Sequence, residues 1–380
     1  MKVLITGGAG FVGRHLTGAL IEKGDAVCVL DALVSQVHGQ GGRAADLHPA
    51  AEFIRGDVRD IHQVRQALEG VDAVFHLAAQ MGVDQSMDEI YRFVDGNTLG
   101  TAVLLQGILE RRNQIRKLVV ASSMTLYGEG CGLCARHGVV DPGPRSPSQL
   151  EQRDWETRCP HCGDNLAPAP TPETKLPAPT SVYAVSKRDQ EELCLSVGRA
   201  YGIPTVALRY FNIYGPGQAL GNPYTGVLSI FCNHILNGQP ALIYEDGRQS
   251  RDFVHVKDVV QANILALEAD EANYQVFNVS SRELWTVGEI ARMVAEELNA
   301  KEMLAIPGLF RAGDIRHCHA DVTRICTRLG YQPRVGLRQG LPDVVRWAQK
   351  QETPVDTSHP AKAGDLPRAA RELAAYDLAR

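Results

Sequence analysis

The sequence contains no apolar run long enough to cross a bilayer, and no secretory signal, since "MKVLITGG" (1–8) reads as the start of a strand. It also lacks a strong charge of either sign, because 39 Lys and Arg against 44 Asp and Glu give a net charge of −5. That balance gives no reason to expect a nucleic acid or an anionic membrane as a partner. We therefore expect a cytoplasmic protein that binds neither.

The nine cysteines do not form the pattern of a secreted disulfide framework. Five of them are scattered through apolar or helical contexts, where small buried thiols are common: Cys28, Cys194, Cys232, Cys318 and Cys326. The other four form two C-x-x-C pairs, "CGLC" (131–134) and "CPHCG" (159–163). Reduced free thiols and a redox dithiol are alternatives for these four, but the presence of two pairs counts against both.

Two C-x-x-C pairs can supply four thiolates to one tetrahedral zinc ion. The sequence predicts such a zinc site, with His137 and His161 as alternative ligands and with these four cysteines as the ligands: Cys131, Cys134, Cys159 and Cys162. Four cysteine ligands leave no open coordination position, so we expect a structural zinc. A nucleic-acid-binding knuckle is the alternative, but clusters of Lys and Arg do not flank the pairs.

Strands alternate with helices along much of the chain. Short apolar runs that predict strands are "KVLIT" (2–6), "AVCVL" (26–30), "EFIRGD" (52–57), "DAVFHLA" (72–78), "KLVVAS" (117–122) and "TVALR" (205–209). After the first run, the apolar residues of 11–24 have helical spacing, and a long helix is predicted at 181–202. This alternation predicts an α/β fold with a parallel, doubly wound sheet.

Residues 131–179 interrupt that alternation. Nine of the 20 prolines lie between Pro142 and Pro179, a density that neither a long helix nor a central strand tolerates. We interpret this segment as an irregular insertion that contains the two C-x-x-C pairs. Because it begins after one predicted strand and ends before helix 181–202, we expect it to act as a lid or wall over the cleft between them.

A glycine-rich turn, "TGGAGFVG" (6–13), joins the first strand to the first helix. Gly7 permits a tight turn, Gly10 lets the backbone approach a pyrophosphate, and Gly13 lets helix and sheet pack closely. The helix N-terminus offers free N–H groups to phosphates. Asp31 ends the second strand, where its carboxylate can accept hydrogen bonds from ribose hydroxyls and would repel a 2′-phosphate. The sequence therefore predicts NAD as cofactor, in preference to NADP.

Tyr183 and Lys187 lie four residues apart in "YAVSK", which places both on one helix face. A lysine ammonium beside a phenol favours the phenolate, so we expect the pKa of Tyr183 to be lowered. The spacing alone is weak evidence, because such pairs usually belong to a solvated helix face. It gains weight from "ASSMTLYG" (121–128), which follows a strand that should end near the cofactor.

These motifs, in this order, resemble the extended short-chain dehydrogenase/reductases of the nucleotide-sugar epimerase/dehydratase family. Further matches are "GDVRD" (56–60), "HLAAQ" (76–80), Asn97 in "GNTLGT", "RYFNIYGPG" (209–217) and "RDFVHVKDV" (251–259). The resemblance covers about residues 1–345. It implies a Rossmann-type sheet, a smaller mixed α/β substrate domain and the inserted zinc-knuckle lobe. It also implies a catalytic set of Ser123, Tyr183 and Lys187, which argues against a non-catalytic member of the family.

The resemblance implies ligands for both bound molecules. The NAD-binding residues are Gly7, Gly10, Phe11, Val12, Gly13, Asp31, Asp57, Val58, Leu77, Ala78, Ala79, Gln80, Asn97, Ser122, Tyr183, Lys187, Tyr210, Asn212 and Ile213. Phe211 is expected to reach nicotinamide and sugar diphosphate as well. The substrate-binding residues are Met81, Ser123, Met124, Thr125, Asn212, Tyr224, Val227, Arg251 and Arg316, of which the two arginines suit a diphosphate. An ordinary ion pair is the alternative for these two arginines.

Two positions separate reaction types within the family. Sugar 4,6-dehydratases carry Asp-Glu directly after the catalytic Ser or Thr, whereas this chain has Met124 and Thr125. Neither side chain transfers protons at neutral pH, so water elimination is disfavoured. The resemblance then implies an epimerase, in which Tyr183 takes the proton of the sugar 4-hydroxyl and a 4-keto sugar is formed and reduced again.

Within the family, the substrate-domain segments and the paired knuckles look most like the dTDP-L-rhamnose 4-epimerase branch. UDP-hexose and UDP-hexuronate 4-epimerases, or a dehydratase or reductase of the family, are the alternatives. The apolar faces of 181–202 and 97–112 imply a homodimer, as in the family. The organisation is an NAD-binding core (1–130), the lobe (131–179), the core continued with the catalytic helix (180–214), a substrate-binding region interleaved with the last core strands (215–350) and a tail (351–380).

Overall fold

The computed structural model describes residues 1–39, 44, 46–222, 226–311 and 313–351. Most of the predicted C-terminal tail therefore lies outside the described residues. In the described part, the strands in chain order are β1 (Lys2–Thr6), β2 (Ala26–Asp31), β3 (Glu52–Arg55), β4 (Ala73–His76), β5 (Lys117–Ser123), β6 (Gly132–Cys134), β7 (Gly138–Val140), β8 (Ala167–Pro168), β9 (Thr205–Tyr210), β10 (Asn212–Tyr214), β11 (Ala241–Leu242), β12 (Ser250–His255), β13 (Gln275–Val279), β14 (Leu284–Thr286), β15 (Leu304–Ala305) and β16 (His317–Cys318).

The α-helices in the same ranges are α1 (Phe11–Glu22), α2 (Ser35–His38), α3 (Ile61–Ala67), α4 (Val83–Asp88), α5 (Ile90–Phe93), α6 (Gly100–Glu110), α7 (Pro147–Glu151), α8 (Val182–Tyr201), α9 (Val227–Leu236), α10 (Val256–Glu268), α11 (Val287–Glu297), α12 (Thr323–Leu329) and α13 (Leu337–Gln349). A π-helical segment (Val94–Leu99) precedes α6, and 3₁₀ turns occupy Met124–Tyr127 and Asp270–Ala272. A helix of the length and apolarity that a membrane span requires does not occur among the described residues.

Seven parallel strands form the central sheet, in the order β13-β9-β5-β4-β1-β2-β3. Successive side chains of a strand point to opposite faces, so Val3 and Ile5 pack into one apolar core and Leu4 into the other. Helices cover both faces: α1 and α10 on one, and α3, α6 and α8 on the other. The predicted doubly wound α/β sheet is confirmed.

A second apolar core lies beyond the sheet and is built from α9, α11 and α13. Phe231, Ile290, Val294, Leu341 and Val345 are buried there. Helix α11 begins with a capping box, in which the Thr286 hydroxyl accepts the Glu289 N–H and the Glu289 carboxylate accepts the Thr286 N–H. This part of the chain reaches the cleft of the central sheet through Leu228 and Phe253.

The proline-rich insertion contains short regular elements. Strands β7, β6 and β8 form a three-stranded antiparallel sheet, and α7 follows the proline-rich turn. Its apolar content is small, since its own core consists of Cys134, Cys159 and Leu166 with Val140 and Cys162 packed against it. A core of this size does not stabilise a lobe alone, so other interactions must fix the fold of the insertion.

Candidate active site

A cleft of about 500 Å³ opens at the carboxyl ends of the central strands. Strand order reverses between β1 and β4, which is where parallel α/β sheets bind ligands. The structure brings to this cleft most of the residues predicted for cofactor and substrate: Gly7, Gly10, Phe11, Val12, Gly13, Asp31, Asp57, Val58, Leu77, Ala78, Ala79, Gln80, Met81, Ser122, Ser123, Met124, Thr125, Tyr183, Lys187, Tyr210, Phe211, Asn212 and Ile213.

The glycine turn between β1 and α1 has no room for a side chain at Gly7 or at Gly13. Gly7 has φ of +70°, and a Cβ placed there would lie 2.7 Å from the backbone nitrogen of Ala78. A Cβ on Gly13 would lie 2.5 Å from the carbonyl oxygen of Gly7. Both glycines are therefore required by close backbone contacts, and the first turn of α1 faces the cleft with its N–H groups. This arrangement fits a bound pyrophosphate.

Asp31 closes the adenosine side of the cleft at the end of β2. Its carboxylate accepts the Ala9 N–H at 3.0 Å and the Leu33 N–H at 2.8 Å, so the side chain is fixed beside the glycine turn. Asp57 lies at the same end and is paired with Arg59. Burial raises the pKa of Asp57, but the hydrogen bonds from Arg59 outweigh it and leave that pKa below its usual value. The two carboxylates suit ribose hydroxyls better than a phosphate.

Asn97 was predicted as an NAD ligand, but it lies behind the cleft wall. Its Oδ1 accepts the Gln80 N–H at 2.6 Å, and its Nδ2 donates to the Ser186 hydroxyl at 2.9 Å. Asn97 is fully buried. It therefore connects the loop after β4 to the helix of Tyr183, which is a supporting contact and not a ligand contact.

The predicted catalytic set is assembled from β5 and α8. Ser123 ends β5, and Tyr183 and Lys187 share the face of α8 that packs on this strand. The helix begins where it does because Ser181 caps it, its hydroxyl accepting the Ala184 N–H at 3.2 Å. The backbone N–H of Tyr183 also donates to the Ser86 hydroxyl at 2.9 Å. The first turn of α8 is therefore held from two sides.

The expected lowering of the pKa of Tyr183 is not what the structure shows. Burial raises that pKa to about 12, and the neighbouring Ser123 hydroxyl offsets part of the increase. Lys187 is turned away, because its ammonium donates to the Ala121 carbonyl and to Gln190 Oε1. Burial lowers the pKa of Lys187 to about 8. Desolvation of the phenol thus exceeds the effect that the sequence spacing suggested.

A buried network that the motifs did not reveal supports this helix. Glu191 accepts the Ser122 hydroxyl at 2.6 Å and pairs with Arg209, whose Nη2 and Nε lie 2.6 and 3.0 Å from its two oxygens. Arg209 also donates to the Tyr127 hydroxyl at 2.8 Å and lies over the Tyr127 ring. Gln190 joins Lys187 to His76. Gln190 and Glu191 follow Lys187 by three and four residues, which places them near it on the same helix face. That spacing is the sequence feature that could have identified them.

One part of the cleft, where we expect the substrate, is largely apolar, although the amides of Gln80, Asn212 and Gln218 line the cleft as well. Met81, Met124, Phe253 and Leu228 line it, and the Thr125 hydroxyl is hydrogen-bonded to that of Ser123 at 2.9 Å. The carboxylates that line the cleft among the described residues are Asp31 and Asp57, both at the adenosine end. In the part of the chain that the structure describes, a pair of carboxyl groups therefore does not line the cleft near Tyr183.

The two predicted diphosphate arginines are not in the cleft lining. Arg316 is fully buried and ion-paired with Glu156, Glu245 and Asp246, so its assignment as a substrate ligand is wrong. Arg251 pairs with Asp314 at 3.1 Å. One further substrate assignment, Val227, does not line the cleft, and another falls on a residue that the structure does not describe. Val227 packs partly buried against the second apolar core, while its neighbours Gly226 and Leu228 line the cleft, and Tyr224 lies outside the described residues.

The insertion brings together Cys134, His137, Cys159 and Cys162, whose ligand atoms lie within 4.8 Å of one another. The Cys134 and Cys162 sulfurs are 3.6 Å apart, and the His137 Nδ1 is 3.5 Å from the sulfurs of Cys134 and Cys159. A tetrahedron with Zn–S bonds of about 2.3 Å has edges of about 3.8 Å. These separations therefore fit a tetrahedral metal centre, and they are too long for a disulfide.

The predicted ligand set needs one correction. Cys131 lies outside the cluster, where its thiol donates to Asp141 Oδ1 at 3.3 Å. Burial and this carboxylate raise the pKa of Cys131 to about 11, which favours the protonated thiol. His137 occupies the place that Cys131 was expected to take. The ring of His161 lies 5.1 Å from that of His137 at an angle of 53°, and His161 is not in the cluster. Because the two C-x-x-C pairs are regularly spaced, the sequence alone did not predict that His137 takes the place of Cys131.

Comparisons with known proteins agree with this geometry. A family model described as "NAD dependent epimerase/dehydratase family" matches residues 3–149 and 162–280. A dTDP-L-rhamnose 4-epimerase of Burkholderia thailandensis is 32% identical over 352 residues, covering 92% of this chain and 95% of that protein.

Two solved structures share the fold. A UDP-glucose 4-epimerase of Thermotoga maritima with UDP-glucose has a TM-score of 0.76 and 31% identity, covering 92% of this chain and 99% of that chain. A UDP-glucose 4-epimerase of Thermus thermophilus in complex with NAD has a TM-score of 0.72 and 30% identity, with the same coverage of both chains.

Proposed function

This chain belongs to the NAD-dependent epimerase/dehydratase family, and on that premise we propose that it is a nucleotide-sugar 4-epimerase that interconverts dTDP-L-rhamnose and dTDP-6-deoxy-L-talose. One observation carries the choice of reaction. Ser123, Tyr183 and Lys187 lie beside the glycine turn, while Met124 and Thr125 occupy the positions where a dehydratase needs carboxyl groups. With this set, the C4 centre can be oxidised and reduced, but water elimination has no acid or base.

The proposed cofactor is NAD, which fits the glycine turn and Asp31. When bound, NAD accepts the C4 hydride and returns it, and the positive charge of its nicotinamide favours the Tyr183 phenolate. Tyr183 accepts the proton of the sugar 4-hydroxyl, and Ser123 orients that oxygen. Lys187 lies on the same helix face and acts on the phenol from a distance, since its ammonium is held by the Ala121 carbonyl and Gln190. After the keto sugar has turned in the cleft, Tyr183 gives the proton back to the new hydroxyl.

The apolar substrate end favours a 6-deoxy sugar. A hexuronate carries a C6 carboxylate, which is bound best by a free cation, whereas neutral donors in this cleft such as Gln80, Asn212 and Gln218 suit hydroxyls as well. The Arg and Lys side chains that line the cleft within the described ranges are Arg14, Arg59 and Lys187. Arg14 pairs with Asp46, Arg59 with Asp57 and Asp95, and Lys187 is held by Ala121 and Gln190. Met81 and Met124 suit a methyl group.

The substrate is tested by comparing kcat/KM for dTDP-L-rhamnose, UDP-glucose and UDP-glucuronate. We expect dTDP-L-rhamnose to be the best substrate and UDP-glucuronate the poorest. UDP-glucose is the second candidate, because a UDP-glucose 4-epimerase with UDP-glucose shares the fold at a TM-score of 0.76. A higher kcat/KM for UDP-glucuronate than for dTDP-L-rhamnose would refute the assignment to a 6-deoxy sugar.

We propose a homodimer as the working form. The helices around the start of α8 expose apolar side chains that a monomer would leave in water: Met87 at 54%, Ile90 at 54%, Tyr91 at 80%, Val94 at 42%, Leu99 at 49% and Val185 at 43%. A second copy that packs on the same face would cover them. Light scattering at micromolar concentration is expected to give twice the chain mass, and a monomer would refute this proposal.

The second proposed bound group is one structural zinc ion, held by Cys134, His137, Cys159 and Cys162. The separations of the ligand atoms match a closed tetrahedral site, which has no open position for a substrate. Structural zinc contributes about 10–16 kcal/mol of apparent binding energy in small zinc-finger peptides, enough to order a lobe with so small a core. Thiolate ligands also require a reducing compartment, in keeping with the proposed location in the cytoplasm.

Metal analysis distinguishes the ligand set with His137 from the set with Cys131 that the sequence predicts. We expect one zinc per chain in the wild type, a loss of at least about half of it in His137→Ala, and full content in Cys131→Ser, because the Cys131 sulfur faces Asp141. Inductively coupled plasma mass spectrometry of anaerobically purified protein measures this directly. Zinc lost from Cys131→Ser but retained by His137→Ala would restore the ligand set predicted from the sequence. Wild-type protein without zinc would reject the site.

A further inference from the structure

A methionine sulfur contacts the phenol on which the proposed reaction depends. The Tyr183 hydroxyl donates to the Met81 sulfur at 3.3 Å. Met81 lies between β4 and α4 and lines the cleft, and 51% of its surface is exposed, whereas Tyr183 is 5% exposed. A thioether is a weak acceptor, and this contact uses one of the two lone pairs of the sulfur. An exposed, oxidisable side chain is therefore in direct contact with a buried catalytic group.

Met81 combines exposure with a place in the cleft, which the other methionines do not. Met124 also lines the cleft, but it is 5% exposed. The remaining methionines lie outside the cleft lining: Met1, Met87, Met293 and Met303. Cysteine does not occur among the described residues that line the cleft. A small oxidant that enters the cleft therefore meets one accessible sulfur, that of Met81.

Hydrogen peroxide oxidises a thioether in a single two-electron step. The sulfur attacks one oxygen of the peroxide, the O–O bond breaks, and the other oxygen leaves as hydroxide, which takes the proton of the transferred oxygen and becomes water. The product is a sulfoxide, which is polar and whose oxygen is a much stronger acceptor than the thioether sulfur. Two thiols reverse the step, because they reduce the sulfoxide to the thioether while they form a disulfide and release water.

We propose that Met81 is a reversible oxidation site that controls the activity of Tyr183, with hydrogen peroxide as the oxidant. In the reduced protein, the weak acceptor releases the phenol when a sugar hydroxyl takes its place. In the oxidised protein, the sulfoxide oxygen holds the phenol proton, which disfavours the phenolate and leaves the proton of the sugar 4-hydroxyl without an acceptor. The proposal rests on the proposed function, since it takes Tyr183 as the general base.

Activity should fall in step with the formation of the Met81 sulfoxide. When the reduced holoenzyme is treated with hydrogen peroxide and sampled at intervals, we expect peptide mass spectrometry to find Met81 oxidised ahead of Met124 and Met293. Epimerisation should fall by at least about tenfold, within the limit of ~10²–10⁴-fold for the loss of a general base. Methionine sulfoxide reductases for the two sulfoxide epimers should restore the activity.

Two leucine variants identify the sulfur that is responsible. Met81→Leu keeps an apolar side chain of similar size, and we expect peroxide to leave whatever activity this variant has unchanged. Met87→Leu is the matched control, because Met87 is 54% exposed but does not line the cleft, and this variant should be inactivated like the wild type. Inactivation of Met81→Leu at the wild-type rate would overturn the proposal, as would inactivation of the wild type while Met81 is still reduced.

The rate of oxidation tests the contact without turnover. Tyr183→Phe removes the hydroxyl that engages the sulfur, so Met81 should be oxidised about two- to fivefold faster, which corresponds to a net hydrogen-bond contribution of about 0.5–1 kcal/mol. Equal rates in Tyr183→Phe and the wild type would refute the contact and the proposal with it. A wild type that epimerises no sugar would refute the proposed reaction, while faster oxidation of Met81 in Tyr183→Phe would still support the modification site.

Discussion

Tyr183→Phe is expected to lower kcat by about 10²–10⁴-fold, the usual loss when a general base is removed. The phenol is buried and lies in the cleft beside Ser123. Other ionisable groups in the described lining lie at the adenosine end, are held as cations or, in the case of Tyr210, donate to Asn263 and have a pKa raised by burial. Phenylalanine keeps the ring and its edge-to-face contact with Phe93, so the fold should be unchanged. Steady-state kinetics with the best sugar substrate measures the loss.

Ser123→Ala is the control for this prediction. In the proposed mechanism Ser123 orients the sugar oxygen and does not take its proton, so the loss should be smaller than that of Tyr183→Phe. The NAD content of both variants should equal that of the wild type, because the glycine turn and Asp31 are untouched. Epimerisation by Tyr183→Phe at the wild-type rate would show that another group is the base.

Arg209→Met is expected to destabilise the protein by about 3–5 kcal/mol, the range found when one partner of a buried ion pair is removed. Glu191 and Arg209 are both buried, and the substitution leaves the Glu191 carboxylate with the Ser122 hydroxyl alone among the contacts described above. The Tyr127 hydroxyl loses its donor as well. Chemical denaturation with urea, read as the free energy of unfolding of NAD-loaded protein, gives the size of the effect.

Two further variants identify the cause of that loss. Arg188→Met removes an exposed pair with Glu192 on the same helix, and it should cost at most about 0.5 kcal/mol. Combining Arg209→Met with Glu191→Met should recover part of the stability, because no uncompensated charge then remains buried. A cost for Arg209→Met no larger than that for Arg188→Met would show that the buried pair does not stabilise α8.

Local motifs made the fold and most of the cleft predictable. The glycine turn, Asp31 and the Tyr183–Lys187 spacing each lie within one strand, turn or helix, where local periodicity fixes the geometry. The strands that carry them are parallel neighbours, so their carboxyl ends meet in one crevice. This is why most predicted ligands line a single cleft.

The corrections concern residues whose partners are distant in the sequence. Arg316 binds Glu156, which lies 160 positions away, and this pairing decides that Arg316 is buried and not a ligand. His137, and not Cys131, belongs to the cysteine cluster, because the turn between β6 and β7 directs the histidine toward Cys159. The pKa of Tyr183 depends on burial by the surrounding fold. Each of these three outcomes depends on how the chain folds in three dimensions. The spacing of residues along the sequence does not predict it.

The most direct test of the account follows the hydrogen at C4 of the sugar. When the holoenzyme acts on dTDP-L-rhamnose deuterated at C4, an epimerase with resident NAD returns the same hydride, because the cofactor does not leave the site between the two half-reactions. We expect mass spectrometry to find the deuterium retained at C4 of the epimerised product, with no NADH accumulating in the solution. Loss of the deuterium, steady accumulation of NADH or a 4-keto-6-deoxy product would contradict the account.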